Sequence, residues 1–211
     1  MQKFDVSKDA WALIVMNAQV DYCDEEKGSR VVQGVAGDPS MAVATDTIVK
    51  LINKPFKRIV ISSDVHPRRP DTMEQSVEQS LSGEKRHCIE KTPGARLIPK
   101  IEQALVGKSS KPIRKGEHPS LISNSVGTSP EFSTHVSTLR GLGIKHVVIC
   151  GFPFNSAVAM TAIEHVNQQF EHVYVVLDAT RSDSAPKRSP EQMTQALQLL
   201  GVELIRSEQL G

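Results

Sequence analysis

The chain has 211 residues, and its 25 basic and 24 acidic residues leave a formal net charge of +1. This balance excludes the strongly basic surface with which many proteins bind nucleic acid or anionic membranes. No stretch approaches the roughly 20 apolar residues of a membrane span, and the N-terminal residues lack the apolar run of a signal peptide. We therefore expect a cytoplasmic protein with a single domain over residues 1–211 and with neither a nucleic-acid nor a membrane partner.

Short apolar segments rich in β-branched residues alternate with segments of helical periodicity. The strand-like segments are WALIVM (11–16), KRIVISS (57–63), KPIRK (111–115), KHVVIC (145–150), HVYVVL (172–177) and VELI (202–205). The helical segments occupy 41–53, 95–105, 131–142, 157–169 and 190–200. This alternation predicts an α/β fold with three layers, in which helices cover both faces of a doubly wound, mainly parallel sheet of about six strands.

The turn after the first predicted strand has the sequence Asn17, Ala18, Gln19. Dinucleotide-binding folds carry a glycine-rich turn at this point, because the backbone must approach the pyrophosphate closely. We therefore expect no nucleotide cofactor. In sheets of this kind, ligands bind outside the carboxyl ends of the strands, so these ends are the place to look for a functional site.

Polar motifs follow the predicted strands. They are MNAQVDYC (16–23), SDVHP (63–67), RKG (114–116) and CGFPFNSAV (150–158), together with HCIEKTPGA (87–95) in a long loop. In this order the motifs resemble those of the isochorismatase-like cysteine hydrolases, and HCIEKTPGA resembles the nicotinamidase branch. The resemblance extends from about residue 11 to residue 205. It implies an isochorismatase-like hydrolase fold and a triad of aspartate, lysine and cysteine that hydrolyses a carboxamide through a thioester.

Two of the three triad positions that the resemblance implies lack the required chemistry. The aspartate position is Asn17, the lysine position is Lys115, and the cysteine position is Ala157. A methyl group cannot form the covalent bond that nucleophilic catalysis needs. An amide cannot accept a thiol proton at neutral pH, although it still donates and accepts hydrogen bonds.

The oxyanion hole that the resemblance implies is also altered. In the family, a cis peptide bond precedes an alanine whose backbone N–H helps to bind the oxyanion. Here the corresponding bond joins Phe152 to Pro153, and proline has no N–H to donate. Nearby, Asn155 and Ser156 are predicted to cap the following helix, and Cys150 to be a packed thiol.

The resemblance implies a divalent metal held by Asp64, His66 and His87, all of which are retained. One carboxylate and two imidazoles suit Zn²⁺, Mn²⁺ or Fe²⁺. The alternative is that Asp64 and His66 only cap strands and turns, with Arg68 or Arg69 supplying the compensating charge.

The resemblance places Tyr22 in the ligand pocket as an aromatic wall. The segment GEKRHC (83–88) has charges where a second aromatic residue is common, so we expect a polar pocket for a small polar ligand. Lys115 could bind an anionic group of that ligand, pair with Asp21 or another carboxylate, or be solvated.

Three functional hypotheses follow. In the first, the protein has lost cysteine hydrolase activity and acts as a binding partner in a homo-oligomer or in a hetero-oligomer with an active relative. In the second, it is a metal-dependent hydrolase of a small amide that uses Asp64, His66, His87 and Lys115. The third is an amidase with an unrecognised nucleophile, Ser156 or Cys150.

Overall fold

The computed structural model describes residues 2–8, 10–29, 32, 39–68, 86–117, 125–182 and 189–211. Within these residues the strands are β1 (Trp11–Met16), β2 (Arg58–Asp64), β3 (Ser110–Lys115), β4 (His146–Gly151), β5 (His172–Thr180) and β6 (Glu203–Ile205). The α-helices are α1 (Val20–Cys23), α2 (Met41–Ile52), α3 (Pro99–Ala104), α4 (Phe132–Gly141), α5 (Ala159–Asn167) and α6 (Pro190–Leu199). None of the helices described is long and apolar enough to cross a membrane.

The six strands form one sheet in the order β3-β2-β1-β4-β5-β6, and every neighbouring pair is parallel. The predicted doubly wound α/β fold is therefore confirmed. The strand order reverses between β1 and β4, and the crevice at such a reversal is the usual ligand site of an open α/β sheet. The turns after β1 and β4, which carry the altered triad positions, lie on either side of this crevice.

Side chains of each central strand alternate between two apolar layers. On β1, Leu13 and Val15 belong to the layer that also contains the buried faces of α2 and α3. Ile14 and Met16 belong to the opposite layer, which contains buried residues of α4, α5 and α6. Both faces of the sheet are thus covered by helices, which gives the three layers that the sequence predicts.

The chain after β4 differs from the prediction. A π-helical turn covers Phe154–Val158, and α5 begins only at Ala159. Asn155 and Ser156 therefore already have helical backbone, whereas a capping residue lies just before the helix. The prediction that they cap it is wrong, because the helical conformation starts directly after Pro153 and no side chain caps this turn.

Candidate functional site

The carboxyl ends of neighbouring strands bring the predicted site residues to one edge of the sheet. Asp64 is the last residue of β2, Lys115 is the last residue of β3, and the two are paired in the register of these strands. Asn17 follows β1, and its backbone N–H donates to the carbonyl of Ser62 at 2.9 Å. Asp64 and Lys115 are 51 residues apart along the chain and are neighbours because β2 and β3 are parallel and adjacent.

The three predicted metal ligands converge in the structure. Asp64, His66 and His87 are all buried, and each offers a ligand atom within 4.8 Å of the others. The two imidazole rings meet edge to face, with their centroids 4.9 Å apart. This donor set of one carboxylate and two imidazoles fits a divalent transition metal.

Backbone hydrogen bonds bring the long loop to this cluster. The N–H of His66 donates to the carbonyl of Cys88 at 2.9 Å, and the N–H of Glu90 donates to the carbonyl of His66 at 2.8 Å. These two bonds form a short parallel bridge between His66 and Ile89. The bridge fixes His87 beside the residues that follow β2, so the convergence does not depend on side chains alone.

Both carboxylate oxygens of Asp64 have partners. The Lys115 ammonium donates to Oδ1, and the Tyr22 hydroxyl donates to Oδ2 at 2.5 Å. Burial by itself would raise the pKa of Asp64, but the positive charge of Lys115, with smaller contributions from His66 and His87, lowers it to about 2. Asp64 is therefore ionised at neutral pH, as a metal ligand has to be.

Lys115 is 1% exposed, so the interpretation of a solvated lysine is wrong. Its carboxylate partner is Asp64 and not Asp21, because the strand register places Asp64 directly beside it. Asp21 instead accepts the backbone N–H groups of Ser29 at 2.9 Å and Cys88 at 2.6 Å. Arg68, which the alternative interpretation used to neutralise Asp64, is exposed, and Arg69 lies outside the described residues.

Gln19 is a site residue that the sequence analysis missed. Its side chain accepts the N–H of Asp64 at 2.8 Å and donates to the carbonyl of Asp64 at 2.7 Å. The same Nε2 donates to the carbonyl of Ala95 at 2.9 Å. Gln19 is fully buried, and it joins the turn after β1 to the end of β2 and to the long loop. The spacing of residues in the sequence does not identify Gln19, because a glutamine side chain gives no indication that it will bond to a backbone 45 residues away.

The HCIEKTPGA segment also supports the site through Gly94. A β-carbon at this position would lie 2.1 Å from Oδ2 of Asp21. Only glycine lets the loop approach the carboxylate that holds Cys88 in place, one residue after His87. The segment therefore supplies a ligand and also the close packing that positions it.

The two altered triad positions, Asn17 and Ala157, are also buried. Asn17 is 0% exposed and adopts a left-handed backbone conformation with φ of 49°. Among the described residues, neither the Oδ1 nor the Nδ2 atom of its amide has a hydrogen-bond partner. Ala157 is 2% exposed, and the peptide bond between Phe152 and Pro153 is cis.

No described cysteine has the properties of a nucleophile. Cys23, Cys88 and Cys150 are all buried. Burial raises the pKa of the thiol groups of Cys23 and Cys150 far above the ordinary value, so both are protonated and inert at neutral pH. Of the charges in GEKRHC (83–88) that were predicted to replace an aromatic wall of the pocket, Glu84 and Lys85 lie outside the described residues, and Arg86 is half-buried.

Comparisons with known proteins agree with this architecture. A family model described as the isochorismatase domain matches residues 11–209. The PnC1 protein of L. infantum, solved in complex with nicotinate, is 24% identical over 99% of this chain and 98% of its own, with a TM-score of 0.79. The pyrazinamidase of Pyrococcus horikoshii, solved in complex with zinc, is 25% identical over 93% of this chain and 99% of its own, with a TM-score of 0.68. No curated protein sequence matches the chain.

Proposed function

Because the chain belongs to the isochorismatase family, we propose that it is a member that binds a divalent metal and a small polar ligand without cysteine hydrolysis. One observation carries this proposal. The donor atoms of Asp64, His66 and His87 are buried and within 4.8 Å of one another, while the residue at the family's nucleophile position is Ala157. Such a protein would act as a binding partner, either in a homo-oligomer or together with an active relative.

Zinc is the metal that we expect. The Pyrococcus horikoshii relative was solved with zinc, and zinc accepts carboxylate and imidazole ligands in tetrahedral sites. When bound, a divalent metal acts as a Lewis acid, and it would also neutralise the negative charge of Asp64 inside the protein. Asp64, His66 and His87 would hold it, and the backbone bridge at His66 would keep the two imidazoles in place.

The Asn17 amide supports the ligand half of the proposal. A buried polar group without a partner costs roughly 1–3 kcal/mol, and a ligand that offers both a donor and an acceptor would satisfy its two atoms. The L. infantum relative was solved with nicotinate, a small aromatic acid. Here the chain has no aromatic residue between Phe56 and Phe132, which favours a more polar ligand.

Metal binding is the first test. We expect purified protein to bind one Zn²⁺ per chain in calorimetric titration and Asp64→Ala to weaken this binding about 100-fold or more. Even the loss of a residue that only hydrogen-bonds to a metal ligand costs about 10–100-fold. Asp46→Ala is the matched control, because Asp46 is an exposed aspartate on α2 that pairs with Lys100 at the surface. Equal zinc affinity of the wild type and Asp64→Ala would show that Asp64 is not a metal ligand and would refute the proposed site.

Restoring the triad tests the loss of cysteine hydrolysis. We expect no nicotinamide hydrolysis by the wild type, and measurable hydrolysis by a variant with Asn17→Asp, Pro153→Ala and Ala157→Cys. The matched control keeps Pro153 and changes only the other two positions. It should be about 10²–10³-fold slower than the triple variant, because one oxyanion donor contributes about that factor. Nicotinamide hydrolysis by the wild type that thiol alkylation abolishes would contradict the proposal.

A second function, a metal-dependent hydrolase, is favoured by the contact between Lys115 and Asp64. This contact places a buried ammonium beside the metal ligands, where it could stabilise negative charge that develops on a substrate oxygen. If the protein is such a hydrolase, we expect the wild type to cleave small amides. A chelator should abolish this activity, and thiol alkylation should not. Absence of chelator-sensitive turnover across a set of small amides would exclude it.

A further inference from the structure

The Tyr22 hydroxyl lies within the cluster of metal ligands and not only in the wall of a pocket. Its oxygen is 2.5 Å from Oδ2 of Asp64 and 3.1 Å from Nε2 of His87. Tyr22 is 2% exposed, and its ring meets the ring of His87 edge to face, with the centroids 5.4 Å apart. The phenol oxygen is thus buried between atoms from two of the three predicted ligands.

These distances match the edges of a metal coordination shell. Zinc lies about 2.0–2.2 Å from its oxygen and nitrogen ligands, so neighbouring donors in an octahedral or tetrahedral shell are roughly 2.8–3.6 Å apart. The separation of 3.1 Å between Tyr22 and His87 falls in this range. The shorter separation from Asp64 is a hydrogen bond, which would lengthen when a metal ion took the place of the shared proton.

We propose that the Tyr22 oxygen is a fourth protein ligand of the metal, completing a site with Asp64, His66 and His87. This inference rests on the proposed metal site. Coordination releases the phenolic proton to solvent, because ligands bind metals in their deprotonated form. The protein supplies two oxygen and two nitrogen donors, from the end of β2, the long loop and α1.

The backbone holds Tyr22 in position for this role. The N–H of Tyr22 donates to the carbonyl of Gln19 at 3.1 Å, and the Gln19 side chain is bonded to the backbone of Asp64. The phenol and the carboxylate are therefore fixed relative to each other through a single residue. Donors that are positioned before the metal arrives lose little conformational entropy when they bind it.

A fourth protein ligand changes what the metal can do. Structural zinc sites are closed by four protein donors, whereas catalytic zinc sites have three and keep one position open for water or substrate. With Tyr22 bound, a tetrahedral ion has no open position. A closed site therefore favours a protein that binds metal without catalysis over a metal-dependent hydrolase.

Ferric iron is the probe that identifies the ligand, because a phenolate bound to it gives a visible charge-transfer absorption. We expect the wild type loaded with ferric iron to be coloured and Tyr22→Phe loaded in the same way to lack this absorption. Zinc affinity should fall about 100-fold or more in Tyr22→Phe, because a direct ligand is lost and even residues that only support the ligands contribute about 10–100-fold. The phenylalanine keeps the ring against His87 and removes only the oxygen.

Tyr174→Phe is the matched control, because Tyr22 and Tyr174 are the two tyrosines of the chain and Tyr174 packs against Phe4 and Trp11. This control should keep both the absorption and the zinc affinity. Colour that survives in Tyr22→Phe, or zinc binding with unchanged affinity, would overturn the fourth ligand while leaving the three-residue site intact. Failure of the wild type to bind either metal would overturn the fourth ligand and the proposed function together.

Discussion

Lys115→Met is expected to destabilise the metal-free protein by about 3–5 kcal/mol, because it leaves Asp64 buried without its charged partner. Lys115 and Asp64 are 1% and 3% exposed, so solvent cannot take over this role. Methionine has a similar length, which keeps the loss of packing small. The measurement is the free energy of unfolding in denaturant, with a chelator present.

Metal binding should restore much of the stability that Lys115→Met loses. The ammonium of Lys115 repels a divalent ion that approaches Asp64, so its removal should increase zinc affinity about tenfold or more. We therefore expect zinc to raise the melting temperature of Lys115→Met by more than it raises that of the wild type. A smaller rise would show that Lys115 assists metal binding, contrary to this expectation.

Lys111→Met is the matched control for this experiment. Lys111 lies on the same strand, but its ion pair with Glu131 is at the surface, with side chains that are 53% and 42% exposed. Exposed pairs contribute roughly 0–1 kcal/mol, so this change should have little effect on stability and none on zinc affinity. Similar effects of the two substitutions would mean that burial does not set the strength of the Lys115 pair.

The sequence predicted the site residues that stand at the carboxyl ends of the strands. Apolar runs located the strands, and the polar residues after them, such as Asn17 and Asp64, lie at the same edge because the strands are parallel. The resemblance added His87, which no local pattern would place near His66. The six-stranded sheet and its helical layers were predictable for the same reason, since both depend on periodicity along short segments.

The pairing of Lys115 with Asp64 was not predictable from periodicity and motifs along the chain. It depends on which strands are neighbours and on their register, and a shift of one residue would turn either side chain to the other face of the sheet. The hydroxyl of Tyr22 raises the same difficulty. Its position after β1 suggests an aromatic wall, whereas its hydrogen bonds depend on the distance to residues more than 40 positions away.

The π-helical turn after β4 shows another limit. Helical periodicity in residues 157–169 predicts a helix, but it does not distinguish an α-helix from the wider π turn that precedes α5. The turn begins at Phe154, after a glycine whose β-carbon would lie 2.0 Å from the carbonyl oxygen of Met16. This close approach of Gly151 to β1 is a tertiary constraint, and periodicity carries no information about it.

Gln19→Met is expected to destabilise the protein by about 2–4 kcal/mol. The substitution keeps the length of the side chain but leaves the N–H and carbonyl of Asp64 and the carbonyl of Ala95 without their partner. Buried backbone groups without a hydrogen bond cost about 1–3 kcal/mol each, and partial relaxation reduces the sum. The measurement is again the free energy of unfolding, compared with that of the wild type.

The same substitution should also weaken the metal site, although Gln19 touches no metal. Gln19 fixes the backbone of Asp64 relative to α1, so we expect zinc affinity to fall about 10–100-fold even under conditions where the variant is fully folded. Gln192→Met is the matched control, because Gln192 forms a capping box with Ser189 at the exposed start of α6 and should cost about 1 kcal/mol or less. If Gln19→Met lowers stability but leaves zinc affinity unchanged, Gln19 supports the fold alone and the ligands are positioned by the strand register and the loop bridge.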